Sequence, residues 1–319
     1  MGSVNIYSSY EYCGMLFIWC EQDFFPGGER EGGAIDLKVQ RDPITGAPIC
    51  RSTSLKGAIR GFLELSNKLG RTNINIREIF GSSINEQMKY PGAIEFMNAG
   101  VILYPVQSYI GAFTFITSPY QLQEYWLTHA RNYGDNWAIK LIEKLDNIRS
   151  KLNDKKAIIP SESIFDGSDI VLYGGEYILR ANEYEVDKEF KKILNELVSK
   201  AIPRINNNPL AGYKYIESKI KTSTILLPDD KFIEVVNRTL PRVTRIALDY
   251  ETKSVRERAL FIQEFIPKHT LLASGIYKAI RYKNNDTINN FMNTLRNVLI
   301  NVGGGETVGY GMIRLVVSK

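Results

Sequence analysis

An α+β fold follows from the order of hydrophobic patterns along these 319 residues. A strand-like run comes first, then an amphipathic helix and strands; after a long polar stretch come more strands, a helix and a final strand. That is the order of a split β-α-β, ferredoxin-like core carrying a large insertion. No period of about 20 to 50 residues runs through the chain, which excludes a solenoid.

Ser9–Trp19 packs aromatic and aliphatic residues into one run and reads as the first strand. Asp42, Pro43 and Gly46 carry turn chemistry, so the chain reverses there. Ser52, Thr53 and Ser54 offer N-caps to a helix in which Leu55, Ala58, Ile59, Phe62, Leu65 and Leu69 recur at helical spacing, and Gly70 ends it. Residues 101–117 are rich in aromatic and β-branched side chains and are expected to form two strands bent at 105–108. Helical stripes follow in 120–152, through Trp137, Leu141, Leu145 and Ile148, and in 187–201, through Phe190, Ile193, Leu194, Leu197 and Val198. The polar, proline-punctuated segments 153–186 and 203–231 are expected to decorate the core. Strand character resumes in 242–248, 258–267 and 271–282, and Asp286 or Thr287 caps a last helix whose apolar face reaches Leu299. A glycine-rich loop, 303–311, then precedes a terminal strand, 312–317.

Lys plus Arg number 40 against 35 for Asp plus Glu, giving a net charge of +5, which is compatible with a nucleic-acid partner. Three cysteines form no C-x-x-C and leave one unpaired, so neither a zinc module nor a disulfide scaffold is supported; they read as buried thiols in a reducing compartment. The apolar run 14–20 is too short to span a bilayer and lacks the flanks of a signal peptide. The expectation is a cytoplasmic protein with no membrane partner. The second glycine loop has no G-x-x-x-x-G-K-[ST] and follows a helical pattern, so it is neither a Walker loop nor a dinucleotide fingerprint; glycine there lets backbone approach backbone, in the same chain or in RNA.

The stretch 27–57 concentrates the chemistry. Glycines and the carboxylates of Glu29, Glu31, Asp36 and Asp42 come first; Arg41, Arg51, Lys56 and the hydroxyls at a helix start come second. Carboxylates beside an anion-binding helix start suit a phosphate polymer that is both gripped and attacked. A glycine-rich charged loop before a helix is, on these grounds alone, more often a solvated connection.

Ile35-Asp36, Val39-Gln40-Arg41-Asp42-Pro43, Thr45-Gly46 and Ser52-Thr53-Ser54-Leu55-Lys56-Gly57-Ala58-Ile59-Arg60 resemble the RAMP superfamily of CRISPR proteins. More narrowly they are similar to the repeated backbone subunit of type III-B, or Cmr, effector complexes. Leu103–Ser108, Thr117–Pro119, Arg242–Arg245, Glu264–Pro267 and Gly303–Gly311 carry the same likeness, while residues from about 125 to 235 carry little. The resemblance implies an RRM-like palm (1–119 and 236–319), helical and thumb insertions (120–235), and head-to-tail stacking of copies along one CRISPR RNA with other Cmr subunits. It implies metal-dependent cleavage of target RNA with Asp36 as the catalytic carboxylate and Glu264 at a second acidic position. Asp36 either holds a divalent cation, Mg or Mn, or orients the ribose 2′-hydroxyl. RNA contacts are expected from Gly27, Gly28, Arg41, Ser52, Ser54, Lys56, Arg60, Gln107, Ser108, Gly303, Gly304 and Gly305. This chain departs from many relatives in having Phe24-Phe25-Pro26 where a histidine is usual, Arg51-Ser52 for Pro-Gly, and Gln107 for an arginine. The competing readings are an architectural guide-binding subunit without catalysis and a nuclease that processes precursor CRISPR RNA.

Overall fold

The computed structural model describes residues 9–28, 35–83, 85–131, 136–246, 251 and 260–318; Glu29 and Glu31 lie outside them. In chain order the main elements are β1 (Tyr10–Cys20), α1 (Ser52–Lys68), β2 (Ala99–Gln107), β3 (Phe113–Thr117), α2 (Asn136–Lys151), β4 (Ala157–Pro160), β5 (Tyr184–Asp187), α3 (Lys188–Ala201), β6 (Ile225–Leu226), α4 (Asp229–Thr239), β7 (Arg242–Arg245), β8 (Phe261–Glu264), β9 (Leu271–Ala279), α5 (Asn285–Thr294), β10 (Val298–Asn301) and β11 (Met312–Ser318). The result is a mixed α+β fold around one large, mostly antiparallel sheet in the order β10-β11-β1-β9-β2-β3-β6-β4-β5. Only the β3–β6 and β4–β5 pairs along that order are parallel. β7 and β8 form a separate antiparallel hairpin.

β1 explains the layering. Leu16, Ile18 and Cys20 pack with Leu55, Ile59 and Phe291 on one face of the sheet, where α1 and α5 lie. Met15, Phe17 and Trp19 alternate with them and pack with Trp126, Phe190 and Leu197 on the other. A strand apolar on both faces has to be covered on both, so the helices of 120–201 form the second cover. Trp19 brings its own anchor, its indole N–H donating to the Ala201 carbonyl at 2.7 Å.

Several expectations change. Segments 153–186 and 203–231 do not merely decorate the core: they deliver β4 and β6 to the sheet, with Ile158, Ile159, Ile225 and Leu226 fully buried. The strand pair at 101–117 does not bend at Pro105, because β9 pairs with β2 only as far as Leu103 and a missing N–H beyond that point breaks no ladder. The reversal comes at 108–112 instead, with Gly111 and Ala112 left-handed. The serines and threonine at 52–54 do not cap α1; Arg51 is the N-cap residue, and the Ser52 N–H is satisfied by the Asn98 side chain at 3.0 Å. Leu65 and Leu69 are exposed while Leu63 and Ser66 are buried, so the buried stripe runs 55-59-63-66. Asn284, rather than Asp286 or Thr287, caps α5 by accepting from the Thr287 N–H. Leu299 belongs to β10, which makes the second glycine loop a hairpin loop rather than a helix-to-strand link.

One buried titratable group ties the second cover to the sheet. His129 lies 2.7 Å from the Tyr277 hydroxyl, and burial pushes its pKa down to about 4. A depressed histidine pKa means the unfolded chain binds the extra proton first, so stability is complete above about pH 6.5 and declines as pH falls towards 4. Urea unfolding at pH 7.5 and pH 5 should show a loss of about 2 kcal/mol from this group. The His129→Gln variant should lack that increment; an identical pH dependence in the variant would mean that His129 is solvated in the folded chain.

Candidate functional site

The two glycine loops meet. Phe24 exchanges both backbone hydrogen bonds with Ile266, each 2.8 Å, which carries the first loop past the end of β8. The Gly304 N–H donates to the Phe25 carbonyl at 3.2 Å and the Gly311 N–H to the Asp23 carbonyl at 2.8 Å. Gly303 sits at φ +83°, and a Cβ there would lie 1.8 Å from the Phe25 carbonyl oxygen. Gly28 is equally confined, with the Lys38 carbonyl oxygen 1.9 Å from where its Cβ would be. The close approach these glycines permit is therefore first of all within the protein, Gly303 to the first loop and Gly28 to its own segment at Lys38. Tyr310 finishes the junction by stacking on Phe265 at 4.3 Å.

Asp36 is positioned by β8. The Asp36 and Leu37 N–H groups both donate to the Ile262 carbonyl at 3.1 Å, and the Glu264 N–H returns to the Leu37 carbonyl at 2.9 Å, so 36–37 lies beside β8 as an extra strand. The Asp36 carboxylate takes the Ile262 N–H on Oδ2 at 2.8 Å. Its Oδ1 has no partner among the described residues, which leaves one oxygen for chemistry. β8 also carries Glu264, 1% exposed, two residues on. Its Oε2 accepts from Arg41 Nη2 at 2.9 Å, and its Oε1 lies 3.6 Å from Arg242 Nε. Arg41 also donates to the Asn237 side chain on α4 and to the Gly46 carbonyl. Much of its guanidinium is thus engaged inside the protein, with the side chain still 26% exposed.

The helix start forms a second locus. Ser52, Thr53 and Lys56 line a groove of about 390 Å³ whose other wall includes Tyr90, Glu95 and Arg281. Burial, with Arg60 adding to it, pulls the Lys56 pKa below its ordinary value, while Glu95 opposes the shift. Ser54 lies half-buried in the first turn. Arg60 turns away from the groove to Glu64 at 2.8 Å and to the carbonyls of Gly81 and Ser82. Gln40 joins this locus to the loops: its N–H donates to the Gly27 carbonyl and its Oε1 accepts from the Arg51 N–H.

Gln107 and Ser108 are not brought to either locus. They end β2, about 26 Å along the strand from its start beside Cys50. Gln107 is exposed, but Ser108 is buried and its hydroxyl donates to the Ile110 carbonyl within the turn. Sequence reasoning missed Asn98, Asn237 and Arg281, single polar residues with no motif around them. Arg242 it quoted without a role; an arginine pair spaced three apart on a strand was the available signal.

No group of three or more His, Cys, Asp and Glu that could hold a metal occurs among the described residues. Among the described residues the donor set around Asp36 is one carboxylate with one oxygen already engaged, which does not make a cation site by itself. No histidine reaches it either: His129 is bonded to Tyr277, and His269 stacks on Phe113 at 5.6 Å.

The chain belongs to the RAMP superfamily, whose family model matches residues 8–314. It is 29% identical over 296 residues to the CRISPR system Cmr endoribonuclease Cmr4 of Pyrococcus furiosus, covering 92% of each chain. It is 27% identical over 292 residues to the CRISPR system CMR subunit Cmr4 of Saccharolobus solfataricus, covering 88% of each. Its fold is shared with a chain of the type III-B Cmr-beta complex in the apo state, at TM-score 0.72, 24% identity and 98% and 99% coverage. It is likewise shared with oligomeric Cmr4 from Pyrococcus furiosus, at TM-score 0.67, 24% identity and 98% and 99% coverage.

The ion pairing sets an order of stability effects. Arg41→Ala strands the buried Glu264 carboxylate with only the longer Arg242 contact, and should cost on the order of 2 kcal/mol after allowing for the partial exposure of Arg41. Lys56→Ala should change stability by no more than about 0.5 kcal/mol. Thermal melting of the two variants checks this; equal melting temperatures would mean that Glu264 is stabilised without Arg41.

Proposed function

We propose that this chain is the repeated backbone subunit of a type III-B Cmr effector complex, stacking in copies along a CRISPR RNA and cleaving the complementary target RNA. The observation that carries the proposal is the 92% coverage of the Pyrococcus furiosus endoribonuclease. The Asp36 carboxylate held by the Ile262 N–H, with one oxygen left open, supports it from geometry. The strand order β11-β1-β9-β2, with α1 and α5 on one face, supports reading 1–119 and 236–319 as the RRM-like palm. Residues 120–235 are then its helical and thumb insertions. Partners in this reading are guide RNA, target RNA, further copies of the chain and other Cmr subunits. No described helix is long and apolar enough to cross a membrane.

Of the two roles open to Asp36, the donor set among the described residues favours orienting the 2′-hydroxyl over assembling a divalent cation site. Asp36 accepts the proton of the 2′-hydroxyl next to the scissile phosphate. The 2′-oxygen bonds to phosphorus and the bond to the 5′-oxygen breaks, leaving a 2′,3′-cyclic phosphate and a 5′-hydroxyl that takes its proton from water. Lys56 and the open groove beside it hold guide phosphate and ribose, leaving base edges for pairing. The glycine loops shape the floor under that backbone.

In the reconstituted complex Asp36→Asn keeps an acceptor for the Ile262 N–H and removes only the base. Cleavage should fall by at least about 10²-fold with target binding and assembly unchanged. Full activity in that variant would turn the reading to an architectural subunit. Lys56→Ala should weaken guide binding alike for all guide sequences and flatten its salt dependence by about 0.7 in log–log slope, as loss of one phosphate contact to a single strand does. Filter binding at several salt concentrations with unrelated guides measures both.

A further inference from the structure

We infer that Arg242 is the residue that meets the scissile phosphate, and that Glu264 and Arg41 are the brackets that aim it. This rests on the reading of Asp36 as the residue acting on the 2′-hydroxyl. Segment 36–37, β8 and β7 lie side by side, with Leu37 bridged to Gln263 and Arg242, Val243, Thr244 and Arg245 paired to Glu264, Gln263, Ile262 and Phe261. Asp36, beside Ile262, and Arg242, beside Glu264, therefore flank β8 from opposite sides, their backbones about 12 Å apart: two strand spacings across and two residues along.

Alternation then assigns the faces. Paired residues on antiparallel strands share a face, so Arg242 and Thr244 stand with Glu264 and Ile262. Arg245 stands on the other face, where its guanidinium bonds Gln263 at 3.3 Å and lies over the rings of Phe261 and Tyr310 at 5.9 and 5.7 Å. Of the arginines near β8, Arg245 is thus held away from the Glu264 side, and Arg41 donates to Glu264, Asn237 and Gly46. Arg242 differs from both. Its side chain is 49% exposed, and among the described residues its one ionic contact is the long 3.6 Å approach of Nε to Glu264. Neither terminal nitrogen of its fork has a hydrogen-bond or ion-pair partner among the described residues.

Charge points the same way. Glu264 is one buried carboxylate between two guanidinium groups, so the trio carries a net +1 beside Asp36. A phosphodiester undergoing attack gathers negative charge on its non-bridging oxygens, and a planar guanidinium pairs with two such oxygens at once. With Asp36 on the 2′-hydroxyl and Arg242 across β8, one phosphate bridges the gap. Asp36 takes the proton, the bond from 2′-oxygen to phosphorus forms, the 5′-oxygen departs, and Arg242 holds the two remaining oxygens without exchanging a proton.

The test is single-turnover cleavage by the complex reconstituted with guide RNA and excess target, using wild type, Asp36→Asn, Arg242→Ala, Arg242→Lys and Glu264→Gln. Arg242→Ala should cleave about 10²-fold more slowly at saturating target, with target Kd within twofold of wild type. Added guanidinium should restore part of that rate, and Arg242→Lys should recover less than guanidinium complementation predicts for a bidentate contact. Glu264→Gln, which keeps an acceptor for Arg41, should show a smaller loss of rate. A wild-type rate in Arg242→Ala while Asp36→Asn is inactive overturns this inference and leaves the cleavage reading intact. So does a Kd loss with an unchanged saturating rate. Full activity in Asp36→Asn overturns the reading on which it rests. A slow Arg242→Ala that melts like wild type but ignores guanidinium also counts against a direct phosphate contact.

Discussion

A buried carboxylate has to be paired, and Glu264 is where this protein meets that constraint. Leaving water costs an ion several kcal/mol, recovered only by close partners and good geometry. Glu264 is 1% exposed and draws Arg41 from the first loop and Arg242 from β7 onto one strand. Through Arg41 it also reaches Asn237 on α4 and the turn at Gly46. Segments far apart in sequence are thereby held in one register, and the same strand, β8, presents the N–H that holds Asp36.

The backbone supplies the rest of that preorganisation. Loops at the two ends of the chain could not each satisfy their own polar groups, so they pair with one another, Gly304 to Phe25 and Gly311 to Asp23. Glycine is required because a side chain at Gly303 or Gly28 would occupy a carbonyl oxygen's place. The site thus sits on backbone fastened to the β7–β8 hairpin and, through the paired loops, to the ends of β1 and β11, which suits chemistry that depends on aligning a hydroxyl with a phosphate.

The basic groove at the start of α1 is built differently. It has no buried ion pair; Ser52, Thr53 and Lys56 face Tyr90 and Arg281 across open space. Arg60, one turn from Lys56, is held by Glu64 and two carbonyls and packs the helix against 81–82. One locus is tightly paired and the other loosely lined, a division that fits one place for chemistry and another for gripping a backbone whose sequence must vary.

The sequence by itself determined what is local or periodic: β1, the turn at Asp42–Gly46, the buried stripe of α3 and the closing strand. It also marked Asp36, Arg41 and Lys56 as residues of interest, because their surrounding motif is contiguous. Only tertiary structure decided their uses. Whether a polar residue at 52–54 caps a helix depended on Asn98, 46 residues away, which supplies the acceptor instead. Whether Leu65 or Leu63 faced inward depended on which side of α1 met the sheet. Whether Arg41 was a surface cation or an internal tie depended on Glu264, 223 residues on. Pairing across such separations leaves no periodic trace in the chain, because the energy that selects it comes from burying a charge once the strands are assembled.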